Sequence, residues 1–141
     1  MGPEQSPDLT AGVVVSITNR HRLILNRIEQ LSSTIARGDQ DPTVVVRLIE
    51  QLMRYISMQF EVEERLMHCY AYLYLPQHHA EHAEILQHVL DLQESGDTEV
   101  LENTLSVLSH QLEAHTQDTD IGMCLFLSTK SCVHTRSEYR V

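Results

Sequence analysis

Nine histidines in a chain of 141 residues are an unusual endowment. Four of them, with two carboxylates, fall where a helical repeat calls for apolar side chains: His21, Glu63, His78, His82, His115 and, close by, Asp120. Imidazole nitrogen and carboxylate oxygen are metal ligands, so a metal centre satisfies all six at once. Without one, each buried carboxylate costs several kcal/mol. A lone histidine on an apolar face is ordinarily a hydrogen-bonded core residue. Four histidines and two carboxylates converging from four segments are not explained that way.

The spacing carries the argument further. Residues four apart on a helix differ in direction by only about 40°, so Gln59 with Glu63, and His78 with His82, point side by side into a bundle. His115 and Asp120 are five apart, about 140° on a regular helix and less obviously convergent. A carboxylate placed between two metals can still be reached from there, with or without a local helix distortion. Ligation by nitrogen and oxygen without thiolate disfavours structural zinc. Bridging carboxylates in a bundle core favour a dinuclear iron or manganese site. His68, His79, His88, His110 and His134 fall off the stripes and read as surface residues, with His79 and His88 giving at most weak outer support. Glu61, Glu64, Glu81 and Glu84 read as a solvated helix face.

Four helices are needed to position these groups. Ile17, His21, Ile24, Ile28, Leu31 and Ile35 form one stripe. A second helix opens at Asp41-Pro42, a cap followed by proline, and its stripe runs through Val45, Leu48, Leu52, Ile56, Gln59, Glu63 and Leu66. A third opens near Pro76 and carries His78, His82, Ile85, Val89 and Leu92, and a fourth follows Ser95-Gly96-Asp97 with Leu101, Leu105, Leu108, Leu112, His115 and Thr119. Strand signals are missing, and the turns at 37–41 and 95–98 are short. The expected fold is all-α, an up-down-up-down antiparallel four-helix bundle. Residues 1–12 read as an N-terminal extension, 13–128 as the bundle, and 129–141 as a tail or the start of a linker. Tyr70 to Leu75 reads as a packed loop or frayed helix end.

Composition narrows the partners. Twenty acids against ten bases give a net charge of −10, which repels nucleic acid and anionic membrane. No apolar run is long enough to span a bilayer, and the start of the chain has no secretory pattern. Three cysteines without a CxxC spacing point to a reducing cytoplasm, with Cys69 and Cys124 read as small buried hydrophobes. A single domain of this length buries roughly 70% of the surface its unfolded chain exposes, so it folds without disulfides.

The ordered set resembles a bacterial hemerythrin-like domain: His21 in ITNRHRLIL, Glu63 in QFEVEERLM, His78 and His82 in HHAEH, His115 and Asp120 in HTQDTD. The resemblance covers residues 13 to 127. It implies two iron ions, one held by His78, His82 and His115 and the other by His21, with Glu63 and Asp120 bridging them beside an oxo or hydroxo group. It further implies oxygen binding at the His21-side iron, which keeps an open position. Two departures stand out. Gln59 occupies the second helix's histidine position, and glutamine offers only a carbonyl oxygen, a poorer ligand. Gln111 and Thr116 replace apolar residues around His115, which implies a more polar ligand pocket that favours loss of bound oxygen. Both departures argue against durable oxygen storage. The expected role is a diiron oxygen or redox sensor, responding to O2 or another small diatomic or anion. In this family such domains are often fused to a signalling output, such as a diguanylate cyclase. The alternatives are a free-standing oxygen carrier or a diiron enzyme acting on peroxide or nitric oxide; sensing rather than catalysis is expected of this domain alone.

Overall fold

The computed structural model describes the backbone of residues 2–38, 41–94 and 97–129, and side chains from residue 12 onward except residue 13. Of the expected tail 129–141, residues 130 onward, with Cys132 and His134, lie outside the described residues, as do parts of both short turns.

Helix α1 spans Gly2–Arg37 and so runs back through the expected extension without a break. It stops where Gly38 takes a left-handed φ of 69°, a conformation glycine adopts without the cost of a Cβ. Helix α2, Pro42–Cys69, begins as the Asp41-Pro42 pair predicts, with the Asp41 carboxylate accepting the Thr43 amide at 3.0 Å. Helix α3 spans Leu75–Glu94, and α4 spans Thr98–Ala114 after an Asp97 cap that accepts the Glu99 amide at 3.0 Å. A π-helical segment, His115–Asp120, then interrupts the last helix before residues 121–129 return to α-helix. Among the described residues there is no strand, and no helix is long and apolar enough to cross a membrane.

The helices pack in chain order, and α1 returns against α4 to close the bundle. The stripes read from the sequence face inward on α1, α3 and α4. On α2 the buried set is Ile49, Leu52, Ile56, Gln59, Phe60, Glu63 and Met67, so Val45, Leu48 and Leu66 lie at its margin. The main apolar cluster fills the half of the bundle around Ile28, Leu52, Val89 and Leu108. A smaller one, built on Ile17, Met67, Met123 and Leu127, closes the other end, where Tyr70, Tyr72 and Leu75 pack against it. The Tyr70 to Leu75 connection is therefore a packed loop. Cys69, expected in the core, is exposed at the end of α2, and Cys124 is half-buried. Between the two apolar clusters lies a polar layer.

Candidate metal centre

Every helix contributes to that layer. His21 comes from α1, Gln59 and Glu63 from α2, His78 and His82 from α3, and His115 and Asp120 from the two ends of the π segment. The π segment resolves the spacing of the last pair. A π-helix bonds each residue to the fifth one on, so groups five apart return towards one face, and both side chains are buried.

Donor atoms of Glu63, His78, His82, His115 and Asp120 lie within 4.8 Å of one another, a group that could hold a metal ion. The three imidazoles form a tight triad with ring centroids 4.6 to 4.9 Å apart. His82 Nε2 is 3.1 Å from His115 Nε2 and 3.1 Å from Glu63 Oε1. His78 Nε2 and His115 Nε2 lie 2.8 and 3.2 Å from Asp120 Oδ1. His21 stands on the other side, with Nε2 at 2.8 Å from Glu63 Oε2 and 3.0 Å from Asp120 Oδ2. The two carboxylates thus lie between His21 and the triad, each offering one oxygen to either side.

These contacts leave hydrogen-bonding capacity unused. Both oxygens of Asp120, both ring nitrogens of His78 and Gln59 Oε1 are buried without a hydrogen-bond partner. The Asp120 and His78 atoms are near each other yet not aligned as donor and acceptor. Native interiors tolerate few such groups, and a cation among His78, Glu63 and Asp120 would satisfy several of them. The donor set fits a metal.

Charge follows the same geometry. Burial by itself lowers the pKa of His21 and of His78, but the contacts with Asp120 and Glu63 outweigh it and raise each to about 9. Burial likewise pushes Glu63 and Asp120 up, and their histidine neighbours override it and hold both well below the usual carboxylate range. Raised in this way, His21 and His78 favour their protonated, cationic forms beside the two carboxylates. Cys124 is pushed up to about 11 by burial and then by the charges of Asp120 and Glu63, so it stays a neutral thiol.

Two residues read as solvated surface prove to belong to the site. Glu64 receives His82 Nδ1 at 2.7 Å and His79 Nδ1 at 2.7 Å. Glu81 receives His115 Nδ1 at 2.9 Å and the Thr119 hydroxyl at 2.7 Å. Each carboxylate fixes the tautomer of an inner imidazole, leaving Nε2 free to face the cluster. Glu81 is three residues from His78 and one from His82, at the border of the α3 stripe, from which a long side chain reaches round. Phe60 also orients the triad, stacking on His82 at 3.7 Å between centroids with an interplanar angle of 4°.

Gln59 is 1% exposed, and its Nε2 donates to Glu63 Oε2 at 2.7 Å. Gln111 accepts from His88 on α3, and Thr116 is half-buried without a polar contact among the described residues.

The sequence profile of the hemerythrin HHE cation binding domain matches residues 13–123. The chain belongs to the hemerythrin family. Within the hemerythrin family, it is similar to the bacteriohemerythrin of Methylococcus capsulatus, with 28% identity over 112 residues that cover 76% of this chain and 84% of that protein. No solved structure matches it. As a hemerythrin-like cation-binding domain, the bundle carries its His/Glu/Asp cluster at the level where the polar residues interrupt its stripes.

Proposed function

We propose that this domain holds two iron ions and works as an oxygen- or redox-responsive element. In this reading His78, His82 and His115 hold one ion, His21 holds the other, and Glu63 and Asp120 lie between them. The iron pair supplies one-electron redox change and a position at which a small molecule can bind. The chain's own residues decide how that capacity is used. Phe60, Glu64 and Glu81 keep the triad rigid, while the His21 side has a single imidazole and an amide.

The observation that carries the reading is Gln59. Its side chain is buried at the cluster, its amide nitrogen holds Glu63 at 2.7 Å, and its carbonyl has no partner. An amide so engaged is a poor substitute for an imidazole, so the His21-side ion keeps room for solvent or a small ligand. Asp120 ends the π segment and leads straight into residues 121–129. A change in how Asp120 is held is therefore a change at the head of the last helical stretch, a natural route to an attached output domain.

The test is to expose an anaerobic ferrous sample to oxygen and follow its absorption spectrum. A sensor's spectrum converts promptly to that of the oxidised protein. A long-lived spectrum that reverts when oxygen is removed would instead favour a carrier.

A further inference from the structure

Beside Gln59, the seam between α1 and α2 opens into a pocket of about 260 Å³. Ser16, Ile17 and Arg20 line it from α1, and Gln59, Val62 and Arg65 from α2. Gln59 is its buried end, since both arginines are exposed and Glu63 lies directly behind the amide at 2.7 Å. We propose that this pocket is an access site for small monoanions bound for the metal centre, with Arg20 and Arg65 drawing them in and Gln59 receiving them.

The chemistry of each part supports this assignment, which rests on the open position argued above. The chain carries a net charge of −10, so anions are repelled from most of its surface. At this mouth two guanidinium groups share one opening. Arg65 pairs with Glu61 at 2.9 Å, but both side chains are about 70% exposed, and such a pair is weak and exchanges readily. Arg20 pairs with no carboxylate among the described residues. A water molecule takes about 30 Å³ of liquid volume, so the pocket has room for a three-atom anion and several waters. Inside, the Gln59 amide has two N–H donors, of which Glu63 uses one. The second is the donor an arriving anion needs, and the unpartnered Oε1 would accept a hydrogen bond from a protonated ligand such as hydroperoxide. Neutral gases need none of these charges.

The experiment uses the iron-loaded, oxidised protein and azide as the probe, mixed rapidly at low and high ionic strength. Arg20→Gln combined with Arg65→Gln should slow azide association about tenfold at low salt and flatten its salt dependence. The azide dissociation rate and the iron content should stay as in the parent. Nitric oxide binding to the ferrous protein should be unchanged, because it carries no charge. Val62→Trp, which narrows the passage, should slow azide and nitric oxide alike. Azide association indifferent to the arginine pair would overturn the proposal while leaving the open position intact. A parent protein that takes up no azide at all would overturn both. Rates indifferent to Val62→Trp in a folded, iron-loaded variant would place the passage elsewhere and overturn the assignment.

Discussion

The two sides of the buried polar layer are built to different standards. Towards α3 and α4, three imidazoles crowd together, and two have their outer nitrogens fixed by Glu64 and Glu81. Phe60 stacks on one of them. Towards α1 and α2, His21 faces the carboxylates with no described residue on its outer nitrogen, next to an amide and an arginine-lined pocket. A side with three imidazoles, two of them braced from behind, suits retention of an ion. A sparsely liganded side with an opening suits exchange. On the proposed two-iron reading the difference is a division of labour within one site, in which one half would anchor and the other respond.

The largest expected effect separates the halves by deletion. His78→Ala removes a member of the triad and leaves Asp120 short of a partner. Iron content should fall sharply and stability drop by about 3–5 kcal/mol, the range for breaking a buried charged network. His21→Ala should cost less stability and leave one ion in place, as metal analysis and thermal melts would show. Equal loss in the two variants would break the comparison.

Next in size is the response to pH, with opposite signs for metal-free and metal-loaded protein. Without metal, His21 and His78 are raised from 6.5 to about 9 by the carboxylates. The stability they contribute is full below the unfolded value of 6.5 and is lost as pH rises through about 9. Glu63 and Asp120 are depressed, so their contribution is present above the ordinary carboxylate range and is lost as pH falls below it. Metal-free protein should therefore be most stable at mildly acidic pH and melt lower between pH 6.5 and 9. Loaded protein should gain over that interval, because ligand histidines must be neutral. Parallel melting curves would show that metal and protons do not compete for these imidazoles.

A smaller effect sharpens the anchoring half. Glu81→Gln and Glu64→Ala should weaken metal affinity about 10- to 100-fold, as loss of a partner behind a ligating histidine typically does. The fold should be retained, as chelator competition and circular dichroism would show. The smallest effect concerns the responsive half. Gln59→His should rebuild a nitrogen donor beside Glu63, slowing air oxidation and weakening azide binding several-fold, with little change in melting temperature. Unchanged oxidation and azide binding would mean that Gln59 does not set the open position.

Much of this was legible from residue order. Helical stripes on α1, α3 and α4 and the Asp41-Pro42 start follow from periodicity and capping alone, since apolar faces must be buried and helix ends satisfied. Five of the six polar residues were visible because each interrupts a stripe, and Asp120 because it stands close to His115. The gap of about 140° between His115 and Asp120 left their convergence open, and a π segment there buries both side chains. What the pattern hid lies at stripe borders. Glu64 and Glu81 look solvated on a helical wheel, and only the neighbouring helix shows that each bends back to an imidazole. Cys69 looked buried by its apolar neighbours, but α2 ends there and turns it outward. Gln111 lies one turn before His115, yet its side chain turns to His88 on α3, which periodicity alone does not show.

The central claim, two ions held unequally by one layer, is tested most directly by anaerobic calorimetric titration of metal-free protein with ferrous iron. The account predicts saturation at two ions per chain in two resolved steps, the tighter one lost in His78→Ala and the weaker one lost in His21→Ala. Saturation at a single ion, or two equal steps that neither variant separates, would contradict it.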